Sequence, residues 1–250
     1  GIYFPGLVNP DLGMNFSYLN FDGIAVRDVF AEKLSMPVFI ENDTRALTIG
    51  EFRFGKEKSK KDSLMIYVDE GIGLGLILDG KIYHGKAGFS GEFGHIPMQS
   101  DGPLCYCGKQ GCLETVASGR ALIDMITNAI EKGELTHLKK MMSLGDNQLS
   151  IEMILKATKL GDQFSIDCIS KISEELGKGA SILLHILNPE MVVVSGKLSE
   201  AGKYLMYPFE QAIYKYTINQ IKNEVQIVQS ELGIKAGMLG MTSVVMENSF

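Results

Sequence analysis

One histidine and three cysteines, His95, Cys105, Cys107 and Cys112, are the most chemically specific residues of the sequence. An imidazole and three thiolates make the closed tetrahedral shell of a structural zinc ion. The three thiols fall within eight residues, and Gly108 and Gly111 let the backbone bring them together. Four protein ligands leave no open position for water, so a catalytic zinc is not expected. The alternatives are free buried cysteines or two disulfides that also use Cys168; the density of the cluster favours a metal in a reducing compartment. Cys168 stands far off in a helical stretch and reads as a small apolar core residue.

Carboxylates flank this loop. Glu92 lies three residues before His95 and Glu114 two residues after Cys112. Carboxylates accept hydrogen bonds from pairs of hydroxyls, which is what a sugar ring offers, and glycines 88, 91 and 94 keep the Glu92 segment slim enough for a small polar ligand. Either glutamate alone fits a solvated surface acid better than a ligand contact. Asn42-Asp43 adds an amide able to bridge ring hydroxyls and a carboxylate able to take a proton from an alcohol, which makes Asp43 a candidate general base. Asp43 also fits the N-cap of the helix that follows, and the two roles do not exclude each other. Gly71-Ile72-Gly73-Leu74-Gly75 could bring backbone N–H groups to a phosphate through Gly71 and Gly73, or could simply be a hairpin turn. It sits between two strands, which excludes a dinucleotide fingerprint, and Asp69 and Glu70 before it would repel a phosphate.

The elements that must hold these residues alternate. Ile24, Phe30, Ala31 and Leu34 predict a helix over 24–34 after a cap at Asp22, and Pro37 stops it before a short strand, Val38-Phe39-Ile40. A helix over 44–54 follows, leaving Glu41-Asn42-Asp43 at the strand's carboxyl end, where open α/β sheets bind ligands. Residues 63–68 and 73–78 predict strands, and Asp79-Gly80 a tight hairpin into 81–83. From Gly119 the chain turns helical, notably over 162–187, until a β-branched strand at 191–194. A helix near 204–216, a strand near 225–229 and a glycine-broken helix from Lys235 complete an α/β protein with a mixed sheet.

The chain has 250 residues, 45% of them hydrophobic and 22% charged, which excludes disorder and allows one large domain or two linked lobes. A boundary near residue 119 would separate a sugar- and metal-binding part, 1–119, from a helical C-terminal part, 120–250. The formal charge of −6 lacks a nucleic-acid footprint, so DNA contact would have to come from another segment. The basic run Lys56-Glu57-Lys58-Ser59-Lys60-Lys61 has no aromatic neighbours and reads as a solvated loop. With no signal peptide and no run of eighteen apolar residues, a cytoplasmic protein without membrane contact is expected.

Glu41-Asn42-Asp43, Gly91-Glu92-Phe93-Gly94-His95 and the segment from Cys105-Tyr106-Cys107 to Cys112-Leu113-Glu114 together resemble the ROK family of bacterial sugar kinases and sugar-responsive transcriptional repressors, and the likeness runs from Gly1 to Gly240. The resemblance implies an actin-like, hexokinase-type (ribonuclease H-like) two-lobed fold, usually a homodimer. It implies that Asn42 and Asp43 are the sugar-binding amide and catalytic base, that Glu92, His95 and Glu114 are further sugar contacts, that Gly6 lines the same pocket, and that His95, Cys105, Cys107 and Cys112 hold zinc. His95 would reach the sugar through its other ring nitrogen.

Departures from the kinases bear on function. The chain starts at the family's Pro-Gly segment, without the first strands and the loop that handles ATP phosphates. Glu70 stands where the kinases carry threonine, and Ser195-Gly196-Lys197 replaces a glycine pair near the adenosine site. The expected function is therefore the effector-binding domain of a ROK-type regulator, responding to a monosaccharide or sugar phosphate, with a DNA-binding winged helix before residue 1. The alternative is a sugar kinase using ATP and Mg²⁺, with Asp43 as its base.

Overall fold

The computed structural model describes residues 1–19, 21–55, 60–143 and 148–249. Most of the basic run, residues 56–59, lies outside them. In chain order the elements are β1 (Ile2–Phe4), β2 (Val8–Asn9), β3 (Met14–Asn15), α1 (Val26–Leu34), β4 (Ile40–Asn42), α2 (Asp43–Phe54), β5 (Ser63–Val68), β6 (Ile72–Leu78) and β7 (Lys81–Ile82). After the loop that carries Cys105, Cys107 and Cys112 come α3 (Glu114–Ala117), α4 (Gly119–Glu131), α5 (His137–Ser143), α6 (Ile151–Lys159), α7 (Gln163–Leu187), β8 (Met191–Ser195), α8 (Lys203–Tyr216), α9 (Asn219–Lys222), β9 (Gln226–Gln229) and α10 (Lys235–Ser249).

The main sheet runs β7-β6-β5-β8-β9. The β5–β6–β7 meander is antiparallel, whereas β5, β8 and β9 are parallel, so the sheet is mixed as the sequence predicts. Asp79 and Gly80 adopt φ of 50° and 76°, the left-handed pair a tight hairpin requires. The continuous apolar runs of β5 and β8 follow from burial on both faces: Ile66, Val68, Val192 and Val194 have no exposed surface. One face carries α7, whose Cys168, Ile169, Ile172, Leu176 and Ala180 recur at helical spacing and are buried. Cys168 is thus the core residue its sequence context predicts. That largest core draws side chains from both sides of residue 119, Leu64 and Leu74 with Leu122 and Ile169. A smaller core forms where β1 and β4 pair in parallel, with Val8, Val38 and Ile40 buried under Phe4 and Phe30.

Several boundaries differ from the predictions. α1 starts at Val26 behind Ala25, and Asp22 is no cap: it sits at φ 51° in a turn closed by a bridge from Phe21 to Ile24. That bridge leaves Ile24 exposed and removes it from the helix face, while Val26 is buried instead. The strand expected at 38–40 is displaced to 40–42 because its ladder partner, β1, aligns Ile2 with Ile40 and Phe4 with Asn42. Asn42, not Asp43, caps α2, its side chain accepting the Arg45 N–H. The last helix is unbroken, since Ala236, Gly237 and Gly240 are buried and tertiary packing outweighs the glycine propensity. No described helix is long and apolar enough to cross a membrane.

Candidate functional site

The loop from Pro97 to Cys112 turns back on itself through Cys105 N–H to Lys109 O (2.8 Å) and Gly108 N–H to Cys105 O (2.9 Å). The turn carries Cys105 and Cys107 back toward Cys112 and to His95, which ends a one-turn helix at Phe93–His95. The donor atoms of His95, Cys105, Cys107 and Cys112 all lie within 4.8 Å of one another. Cys105 Sγ is 3.5 Å from His95 Nδ1, and Cys107 Sγ is 3.6 Å from Cys112 Sγ. A tetrahedral ion with metal–sulfur bonds of about 2.3 Å needs donors roughly 3.8 Å apart, so the cluster could hold a metal with small side-chain adjustments. All four cysteines are free thiols, so the disulfide alternative does not hold here.

Beside this loop a cavity of about 490 Å³ gathers every residue singled out as a sugar contact: Gly6, Asn42, Asp43, Glu92, His95 and Glu114, with Gly71 and Gly73 on its floor. Asn42 ends β4, and its amide donates to Gly6 O (3.0 Å) and Asp43 Oδ1 (3.0 Å), which fixes the Pro5-Gly6 segment to the start of α2. The Asp43 carboxylate accepts the Thr44 N–H at 2.7 Å. Burial raises its pKa above the ordinary carboxylate value, against the opposing Thr44 hydrogen bonds and the Arg45 charge. Glu92 is likewise raised by burial, partly offset by His95. It owes its place to Gly91, whose φ of 92° favours glycine and whose hypothetical Cβ would lie 2.0 Å from Leu74 O. His95 turns Nδ1 to the thiols and Nε2 toward the cavity, 3.0 Å from Tyr106 Oη and 3.8 Å from Glu92 Oε2.

The glycine-rich turn serves packing. A Cβ at Gly73 or Gly75 would lie 2.2 or 1.7 Å from the hydroxyl of Thr44 or Thr48, so these glycines let β6 lie directly on α2. Glu70 projects into solvent at the cavity rim, 3.7 Å from Arg120, and Tyr67 donates its hydroxyl to Asp69 Oδ2 at 3.1 Å.

Sequence reasoning missed the support behind the site. Glu41 and Arg45, both almost fully buried, pair at 2.7 Å. Arg45 also donates to Gly88 O (2.6 Å) and Val8 O (2.8 Å), and His84 Nε2 lies 2.7 Å from the other Glu41 oxygen. This pair clamps the segments that carry Gly6, Asn42 and Glu92. The spacing of Glu41 and Arg45, four residues apart, was its only signal in the sequence. Tyr18, Tyr67 and Tyr106 line the cavity as well, and nothing in their local sequence marked them as contacts; Asp69, which the sequence places before the glycine-rich segment, joins them.

The profile of the ROK family matches residues 1–248. The chain is 30% identical over 233 residues to the DNA-binding transcriptional dual regulator NagC of Escherichia coli, covering 92% of this chain and 56% of that protein; it thus spans about half the length of such curated relatives. Among solved structures, a ROK family transcriptional regulator described as a homolog of the E. coli MLC protein superposes with a TM-score of 0.84 at 31% identity, over 96% of this chain and 61% of the other. A ROK family glucokinase from Streptomyces griseus, in complex with glucose and AMPPNP, superposes with a TM-score of 0.86 at 29% identity, over 99% and 81%. Regulators and kinases are therefore matched about equally, and both carry the actin-like ATPase fold seen here. The chain belongs to the ROK family.

Proposed function

We propose that this chain is the sugar-sensing part of a ROK-type transcriptional regulator. The observation that carries the reading is the charge at the cavity rim: Asp69 and Glu70 stand in the turn that opens the glycine-rich segment, where they would repel a polyphosphate, and Asp69 Oδ1 accepts the Glu70 N–H at 2.9 Å. The sugar half of the site suits hydroxyl recognition. Asp43, Glu92 and Glu114 accept from ring hydroxyls, and His95 Nε2 adds a further contact.

In this reading the metal is a structural zinc on His95, Cys105, Cys107 and Cys112. It fixes the imidazole through Nδ1 and sets Glu92 and Glu114 on either side of one loop. DNA recognition belongs to a separate segment, the working form is a homodimer, and the protein acts in the cytoplasm.

The kinase reading has one observation of its own. A buried carboxylate with a raised pKa, as at Asp43, is a better proton acceptor for a sugar hydroxyl than an exposed one. A coupled assay of the full-length protein with ATP, Mg²⁺ and a panel of hexoses separates the two. No turnover at a kinase-like rate is expected; robust phosphorylation of any sugar would establish the kinase instead.

A further inference from the structure

We propose that Tyr106 is a built-in competitor of the ligand: its hydroxyl occupies the one place on His95 that a ligand hydroxyl needs, and a sugar binds by displacing it into the adjoining groove. The inference rests on the sugar-site reading above and names the residue that limits affinity there.

Each nitrogen of an imidazole makes a single in-plane hydrogen bond, as donor or as acceptor. His95 Nδ1 lies 3.5 Å from Cys105 Sγ, and Nε2 lies 3.0 Å from Tyr106 Oη. Whichever partner carries the proton, the Nε2 direction is taken. Glu92 Oε2, at 3.8 Å, is too far for a hydrogen bond to it. The carboxylates on either side differ. In hydrogen bonds with other described residues Asp43 engages only Oδ1 and Glu114 only Oε2, so each keeps an oxygen for a ligand. His95 keeps nothing: a hydroxyl reaches Nε2 only after Tyr106 has left.

Tyr106 is placed to leave. It is 71% exposed, and its ring meets the imidazole edge-on with centroids 5.0 Å apart. The backbone around it is pinned by Cys105 N–H to Lys109 O and Gly108 N–H to Cys105 O, so the displacement is a turn of the side chain between rotamers rather than a movement of the loop. A groove of about 900 Å³ adjoins the cavity and shares Tyr106, Glu114 and Arg120 with it; Leu104, Val116 and Met125 give the groove an apolar wall against which the ring can rest. A ligand hydroxyl on Nε2 therefore replaces a bond instead of adding one, and the loss of the Tyr106 bond weakens sugar binding.

The test is calorimetric titration of the full-length protein and its Tyr106→Phe variant with glucose, mannose, xylose and N-acetylglucosamine, followed by the monodeoxy analogues of the sugar that binds best. Phenylalanine keeps the ring and removes only the hydroxyl, and because position 106 is exposed the two proteins should unfold at the same temperature. Tyr106→Phe should bind that sugar roughly two- to tenfold more tightly than wild type, the factor that corresponds to the net contribution of one neutral hydrogen bond. The gain should vanish for one monodeoxy analogue, the one without the hydroxyl that faces His95, because nothing then competes for Nε2. Equal or weaker binding by Tyr106→Phe would overturn the proposal and leave the sugar site standing. A gain of the same size for every analogue would also overturn it, by tracing the effect to something other than the bond with His95. Binding of no sugar by either protein would overturn the sugar-site reading, and this inference with it.

Discussion

The Glu114 carboxylate accepts the backbone N–H of Ile72 at 2.9 Å, which ties the end of the cysteine-bearing loop to the glycine-rich turn across the cavity. A Cβ on neighbouring Gly71 would lie 2.6 Å from the same Glu114 oxygen. The two sides of the site are thus built against each other, and disturbing one should move the other.

Gly71→Ala should push the flexible Glu114 carboxylate aside at little cost in stability, under about 1 kcal/mol, while weakening sugar binding about tenfold. Gly75→Ala meets buried Thr48 on α2, with a Cβ only 1.7 Å from its hydroxyl, and should cost about 1–3 kcal/mol. Urea unfolding and sugar titration of both variants measure the contrast. Equal stability losses would mean that the Glu114 contact is not the constraint on Gly71.

Protein purified without added metal should carry about one equivalent of zinc. Cys107→Ala or strong chelation should lower stability and sugar affinity together, since the metal loop supports both His95 and Glu114. Metal-free protein with unaltered sugar binding would remove the ion from the account.

Asp43→Asn separates cap from contact. Asn42 already caps α2, and asparagine at 43 can still accept the Thr44 N–H, so stability should stay within about 0.5 kcal/mol. If Asp43 accepts a sugar hydroxyl, the lost charge-assisted bond, about 1.5–3 kcal/mol, should weaken binding roughly ten- to a hundredfold. Calorimetry on wild type and variant decides it; unchanged affinity would misplace the pocket.

Glu41 gives an acid-stability signature. Burial pulls its pKa up, but the His84 hydrogen bond and the Arg45 charge outweigh burial and hold it below its ordinary 4.5. A carboxyl with a lowered folded pKa contributes stability that is fully present above its unfolded value and is lost as pH falls through the folded value. Glu41→Gln leaves Arg45 buried without its counter-charge and should cost about 3–5 kcal/mol at neutral pH. It should also flatten the stability profile below pH about 4.5. A variant whose acid unfolding parallels wild type would show that the pair does not carry this dependence.

The clustering of His95 with three thiols was legible in the sequence because the thiols and the two turn glycines sit within one short loop, and local spacing alone brings such side chains together. The mixed α/β class was legible for a similar reason: β-branched runs such as Met191–Val194 and the Asp79-Gly80 hairpin carry local signals. The edges of α1 and β4 were not, because a bridge at Phe21 and a ladder partner at Ile2 decide them, and both are tertiary. The site divides the same way. Asn42 and Asp43 could be picked out side by side, but which of them caps α2 depends on where the β1 register ends β4. Arg45 and Tyr67 became part of the site only when the fold set α2 against β6 and brought Val8 and Gly88 to one guanidinium. Side-chain type and local spacing identify residues able to bind an ion or a hydroxyl; which donors remain free for a ligand is settled by long-range contacts, as when Glu114 takes the N–H of Ile72, forty-two positions away.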